Sequence, residues 1–125
     1  MQKIGKLRFP MEQKNGKFPR RGEIYWVNLE PTIGSETQKT RPGLVISNDI
    51  GNEMSDVVII APITSKTKNV YPFEVLLLVN NKQGKAMINQ CRAIDKSRLG
   101  KKMCSISLEE LYEVEEAIKI VFAID

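Results

Sequence analysis

Apolar residues in this chain fall into short runs punctuated by Gly, Pro, Asn and Asp. Residues 22–29, GEIYWVNL, are rich in β-branched and aromatic side chains, with apolar groups on both alternating faces. That pattern predicts a strand buried on both sides, ended by Glu30-Pro31. A polar loop, 31–41, leads through Arg41-Pro42 into a second strand, Leu44–Ser47, closed by a turn at Asn48–Asn52. Val57–Ile63 predicts a third strand, which Pro62 assigns to an edge or to its own end. After the polar, basic loop Thr64–Asn69, a fourth strand runs from Phe73 to Val79. Asn80–Gly84 reads as a turn and Ala86–Ile94 as a fifth strand. Leu99-Gly100 breaks that pattern and leaves room for a short strand near Met103–Ile106.

The end of the chain changes period. Ser107 followed three residues later by Glu110 is a capping box. Leu108, Leu111, Val114, Ile118, Val121 and Phe122 then recur at helical spacing and mark one apolar face. Glu109, Glu110 and Glu113 complement the dipole at the start of that helix, which accounts for them structurally. Residues 1–20 show no period and predict a basic, poorly ordered extension before a domain at 21–125. Five or six short strands and one terminal helix predict a small, partly open β-barrel with the helix packed on it.

Composition narrows the chemistry. The 125 residues suit one domain, and 42% hydrophobic with 27% charged residues is ordinary for a soluble protein. Apolar runs such as Val75–Val79 are far too short to span a bilayer, and the first residues lack a signal-peptide core, so a cytoplasmic protein is expected. The chain has no histidine, which excludes a Ser-His-Asp triad and a histidine acid–base pair. Cys91 and Cys104 are too few for a zinc site without histidine and are expected as reduced, buried, apolar side chains. The net charge of +4 divides unevenly: residues 1–20 carry +5, residues 21–106 carry +4, and residues 107–125 carry −5. The basic head and middle suit a polyanion.

Five segments occur in order: RGEIYWVNLEPTIGSE (21–36), TRPGLVISND (40–49), APITSK (61–66), YPFEV (71–75) and NQCRAIDKSRL (89–99). Together they resemble the MazF/PemK family of toxin endoribonucleases, over residues 21–125. The resemblance implies an SH3-like barrel of the MazF/PemK/CcdB type with a C-terminal helix. It further implies a homodimer that cleaves single-stranded RNA at short sequences without metal or other cofactor. A cognate antitoxin would block the RNA groove with an acidic segment.

RNA supplies its own nucleophile, the 2′-hydroxyl. The protein must help remove its proton, stabilise charge on phosphorus and protonate the leaving 5′-oxygen. The products implied are a 2′,3′-cyclic phosphate and a 5′-hydroxyl. Arg41 matches the arginine of the family's RP motif, and its planar fork fits two phosphate oxygens. Charge stabilisation is its assigned role; the resemblance also allows a general-acid role, which arginine's reluctance to lose a proton opposes. Thr64 matches the threonine after the third strand; its hydroxyl either donates to phosphate or bonds its own loop. Glu36 matches the glutamate of GSE and either takes the 2′-proton or holds Arg41.

Ser65, Lys66, Gln90 and Arg92 are candidate substrate contacts, Lys66 to phosphate and Gln90 and Arg92 to base edges. The alternative for each is a solvated loop or a barrel-end hydrogen bond. Asn89 stands where many relatives carry an acid, a departure that bears on sequence preference. Trp26, Tyr25, Phe73 and Phe122 are expected in the core from their spacing. Two other functions share this barrel: a non-enzymatic, CcdB-like toxin that binds DNA gyrase, and a partner-binding module without nuclease activity. The CcdB contact runs through the end of the C-terminal helix, whereas here the loop residues carry the match.

Overall fold

Short apolar runs broken by turn residues build an antiparallel sheet that curls around its own side chains. The computed structural model describes residues 17–29 and 40–125. The expectations for residues 1–16 and for Glu36 lie outside the described residues. The elements are β1 Glu23–Asn28, β2 Thr40–Val45, α1 Asp49–Met54, β3 Val57–Thr64, β4 Glu74–Val79, β5 Lys82–Met87, β6 Arg92–Asp95, β7 Leu99–Ser105 and α2 Leu108–Phe122. The strands lie in the order β4-β5-β3-β2-β1-β7, with β6 also paired to β3. This is a mainly β half-barrel closed by a C-terminal helix, as the pattern predicts.

β3 makes the curl. Its first half pairs with β6, from Val57 opposite Asp95 to Ile60 opposite Arg92. Its last residues pair on that flank with β5, Ile63 opposite Ala86 and Thr64 opposite Lys85. Pro62, which cannot donate to a ladder, falls between the two partners while facing Gly43 of β2 on the other flank. The strand therefore neither ends at Pro62 nor lies at the sheet edge there. At this crossing β5 lies close on β3: a Cβ at Gly84 would sit 2.8 Å from Ile63 Cγ2.

The sheet buries both faces. Ile24, Leu44, Ile63, Leu77 and Ile88 form a main core that Val114 and Ala117 of α2 cover. Val27, Val45, Val58, Ile60 and Ile94 form a second, smaller one. Each fully buried aliphatic side chain contributes about 1.5–3 kcal/mol. α2 starts with the expected capping box: Ser107 Oγ accepts from Glu110 N–H, and Glu110 accepts from Ser107 N–H. The other Glu110 carboxylate oxygen accepts from Leu78 N–H at 2.9 Å, tying the helix start to the edge strand β4. The helix's apolar face is narrower than its spacing implies, since Leu108 and Phe122 are exposed.

Several local expectations need correction. Residues 48–52 are not a simple turn: Asn48 caps the short helix α1, its Oδ1 accepting from Gly51 N–H. Asn52 is fully buried there and donates to Ser47 O at 3.0 Å. The hairpin after β4 turns on Asn80 and Asn81 alone, both at positive φ, so β5 resumes at Lys82. The run 86–94 is not one strand, because a 3-10 turn at Ile88–Gln90 divides β5 from β6. β7 begins at Leu99 and runs through Gly100 instead of starting near Met103. Cys91 and Cys104 are free and pack against the main core, but only partly buried.

Candidate active site

A groove of about 590 Å³ opens on the sheet where β1, β2, β3 and β5 meet. Its apolar lining includes Trp26, Pro42, Pro62, Met87 and Met103; its polar lining is Arg41, Thr64, Ser65, Lys82 and Gln83. No carboxylate lines it among the described residues, so the groove favours an anion.

Arg41 is the second residue of β2, opposite Val27 of β1, and its side chain is exposed. Among the described residues its guanidinium has no hydrogen-bond or ion-pair partner, which leaves the whole fork open to a ligand. Thr64 ends β3. β2 and β3 pair with Gly43 opposite Pro62, and the same antiparallel register carried two residues further sets Arg41 level with Thr64. Thr64 Oγ1 accepts from Lys66 N–H at 3.1 Å. Thr64 therefore bonds its own loop as an acceptor, which leaves its O–H available as a donor.

The other predicted residues divide. Ser65 lines the groove. Lys66 is exposed beside it, its backbone set by Thr64. Gln90 lies in the 3-10 turn, donating to Met87 Sδ at 3.6 Å, and so touches the groove only through a lining residue. Arg92 opens β6 opposite Ile60, exposed and away from the lining. Glu36 lies outside the described residues.

Three lining groups escaped the reading from sequence. Trp26 is not core: it is 39% exposed and forms a wall of the groove. β1 pairs with β2 in unbroken register, from Ile24 opposite Leu44 to Asn28 opposite Thr40, so Trp26 shares the face of Ile24 but lies past the main core, beside the groove. The turn is shorter than the pattern Asn80–Gly84 suggests, and Lys82 and Gln83 start β5. Tyr25 and Phe73 are half-buried, not fully core; the Tyr25 hydroxyl donates to Glu23 Oε1 at 2.7 Å, and Phe73 stacks on Tyr71 at 5.5 Å.

Outside the groove lining, several ionisable groups are held by bonds. Burial pushes the Tyr25 hydroxyl far above its usual pKa, and neighbouring Glu23 adds to this. For Glu23, burial acts upward but is outweighed by the Arg20 N–H, the Tyr25 hydroxyl and Lys102, which hold the carboxyl below its ordinary value of 4.5. Lys85 Nζ lies 3.0 Å from Glu74 Oε1, both side chains largely buried. Glu74 too is held below 4.5, burial being outweighed by the Tyr71 N–H and Lys85. Among the described residues no three His, Cys, Asp or Glu side chains converge, and no helix is long and apolar enough to cross a membrane.

Known proteins share this fold and much of this sequence. The chain is 38% identical over 110 residues to endoribonuclease MazF9 of Mycobacterium tuberculosis, a match covering 81% of this chain and 93% of the relative. It is 36% identical over 110 residues to endoribonuclease EndoA of Bacillus subtilis, covering 84% and 95%. The crystal structure of MazF from Deinococcus radiodurans superposes with a TM-score of 0.70 at 29% identity, over 86% of this chain and 99% of that one. A MazE–MazF structure from the same organism gives 0.71 at 28% identity, over 86% and 98%. Residues 20–122 match the family described as the PemK-like, MazF-like toxin of type II toxin–antitoxin systems, and the chain belongs to that family.

Proposed function

We propose that this protein is the toxin of a type II toxin–antitoxin pair, an endoribonuclease that cuts single-stranded RNA at short sequences without a metal. The observation that carries this reading is the placement of Arg41 and Thr64, level on adjacent strands, in a groove lined by no acid among the described residues. RNA lies along the groove with its scissile phosphate between them. The 2′-hydroxyl attacks phosphorus as its proton is taken up, the P–O5′ bond breaks as the leaving oxygen takes a proton from solvent, and a 2′,3′-cyclic phosphate and a 5′-hydroxyl form. Arg41 spans two phosphate oxygens as negative charge builds on them, and the Thr64 O–H donates to the same group. Glu36 takes the 2′-proton or holds Arg41. Trp26 stacks on a neighbouring base, a contact that tolerates any sequence.

The same groove receives the antitoxin. An acidic segment competes there for Arg41 and Lys82, and apolar residues of that segment cover Met87 and Met103. Two copies of this small barrel supply a groove long enough for several nucleotides, so the active form is a homodimer in the cytoplasm. The domain is 21–125, with residues 1–20 as its basic extension.

The test is incubation of antitoxin-free protein with a long, unstructured RNA in EDTA, followed by mapping of the cut ends. Discrete cuts ending in cyclic phosphate support the proposal. Intact RNA together with inhibition of gyrase supercoiling would replace it with the CcdB-like reading.

A further inference from the structure

The lip of the groove is a loop, residues 65–73, that leaves Thr64 and returns to β4 at Glu74. The first half of the loop is polar, with Ser65, Lys66, Lys68 and Asn69 exposed, and its second half, Val70–Phe73, is apolar and ends in the Tyr71–Phe73 stack. The polar half has no apolar anchorage of its own, so its shape depends on a few bonds. Most of these converge on one buried pair.

Lys85 is only 8% exposed. Its backbone stands opposite Thr64 in the β3–β5 ladder. Its ammonium reaches beneath the loop, donating to Asn69 O at 2.7 Å and pairing with Glu74 Oε1 at 3.0 Å. Glu74 Oε1 in turn accepts from Tyr71 N–H at 3.0 Å, and Glu74 N–H donates to Tyr71 O at 2.8 Å. The loop is thus pinned at Asn69 and at Tyr71 through two largely buried side chains outside the groove lining, while Thr64 is held by its backbone ladder to Lys85.

Stability alone is a weak reason for such a pair. Desolvating two charges offsets most of their attraction, and apolar residues of similar volume often serve a fold as well or better. An apolar pair, however, has no donor for the Asn69 carbonyl and no acceptor for the Tyr71 amide. What the ion pair adds is a defined course for the loop. We infer that Lys85 and Glu74 are positioning residues, a buried clamp that fixes the course of loop 65–71 and so holds the Lys66 N–H on the Thr64 hydroxyl at the lip of the groove. This rests on the ribonuclease reading for its chemical consequence, and on the loop geometry alone for its structural one. Neither residue contacts substrate. Loosening the clamp frees the Lys66 N–H and with it the orientation of the Thr64 hydroxyl, whose backbone stays in the ladder, while leaving Arg41, Lys82 and Trp26 to bind RNA.

The experiment compares full-length protein with Lys85→Met, Lys85→Arg and Glu74→Gln variants on an RNA oligonucleotide carrying the mapped cut sequence. Amide hydrogen exchange is followed in parallel. Lys85→Met and Glu74→Gln are expected to lower kcat about 10- to 100-fold, the scale of a misplaced catalytic group, with KM within about threefold. Lys85→Arg, which keeps both bonds, is expected to restore kcat. Exchange at Lys66 and Tyr71 is expected to quicken at least tenfold, while amides of Leu44 and Val114 stay protected. If Lys85→Met fails to fold, the near-isosteric Glu74→Gln decides. Native kcat in a folded variant, or unchanged exchange at Lys66 and Tyr71, overturns the clamp. If the unaltered protein cuts no RNA, the ribonuclease reading fails instead, and the exchange rates alone decide whether the clamp positions the loop.

Discussion

Arg41 and Thr64 enter one groove from neighbouring antiparallel strands, and the pairing of Gly43 with Pro62 sets the two level with each other. The strands at this point are backed by Leu44, Val45, Ala61 and Ile63, all buried. A cation and a hydroxyl are therefore carried on rigid backbone, with little freedom to lose on meeting a phosphate. The predictions below follow from that placement and from the bonds around it.

Thr64 plays two parts, as acceptor for Lys66 N–H and as donor into the groove. Thr64→Ser keeps both and should retain cleavage within about tenfold. Thr64→Val removes both at nearly equal volume and should lower kcat roughly 10²- to 10³-fold, the loss typical of one transition-state donor. Single-turnover cleavage rates check this, with circular dichroism to show that both variants fold.

Trp26 is the only tryptophan in the chain and forms a wall of the groove. Its fluorescence should change on binding an RNA oligonucleotide in which the scissile 2′-hydroxyl is replaced by hydrogen. Trp26→Ala should weaken that binding by about 1–3 kcal/mol, the range for loss of one stacked base, as read by titration with labelled RNA. Unaltered affinity would remove Trp26 from the binding surface.

Glu23 and Glu74 titrate below their ordinary value of 4.5 in the fold, because bonds to N–H groups and to Lys102 or Lys85 outweigh burial. A carboxyl whose folded pKa is depressed stabilises the protein above its unfolded pKa and loses that contribution as pH falls through the folded one. Stability to urea should therefore be flat above about pH 5.5 and fall steadily below 4.5. Glu74→Gln should make the fall shallower. A parallel decline in that variant would show that Glu74 does not contribute.

Glu110 joins the helix start to the sheet edge, through Ser107 N–H and Leu78 N–H. Glu110→Ala breaks both bonds and should cost about 1–2 kcal/mol in urea denaturation, with no effect on cleavage per folded molecule.

The helix and the strands carrying the site were legible in the sequence for local reasons. Ser107 and Glu110 cap, Val114 and Ile118 keep helical period, and Arg41-Pro42 marks the start of a buried run. What was hidden depends on partners distant in sequence. Trp26 looks like core on its own strand; it is exposed because its stretch of that face borders the groove and not the main core. Pro62 looks like a strand end because the change of partner from β6 to β5 leaves no local mark. The break at Ile88–Gln90 lies in a run without Gly or Pro, and the clamp between Lys85 and Glu74 joins residues on two strands of a hairpin with no motif to announce it.

The central claim is that Arg41 and Thr64 act together on one phosphate. The measurement that tests it most directly is single-turnover RNA cleavage in EDTA by the unaltered protein, Arg41→Ala, Thr64→Val and the double variant, with Trp26 fluorescence confirming that each still binds RNA. The account predicts discrete cuts ending in 2′,3′-cyclic phosphate, a loss of roughly 10²- to 10³-fold or more in Arg41→Ala, and a double variant far less impaired than the product of the two single losses, as for groups that act as a unit. Full cleavage by folded Arg41→Ala, or losses that simply multiply, would contradict it.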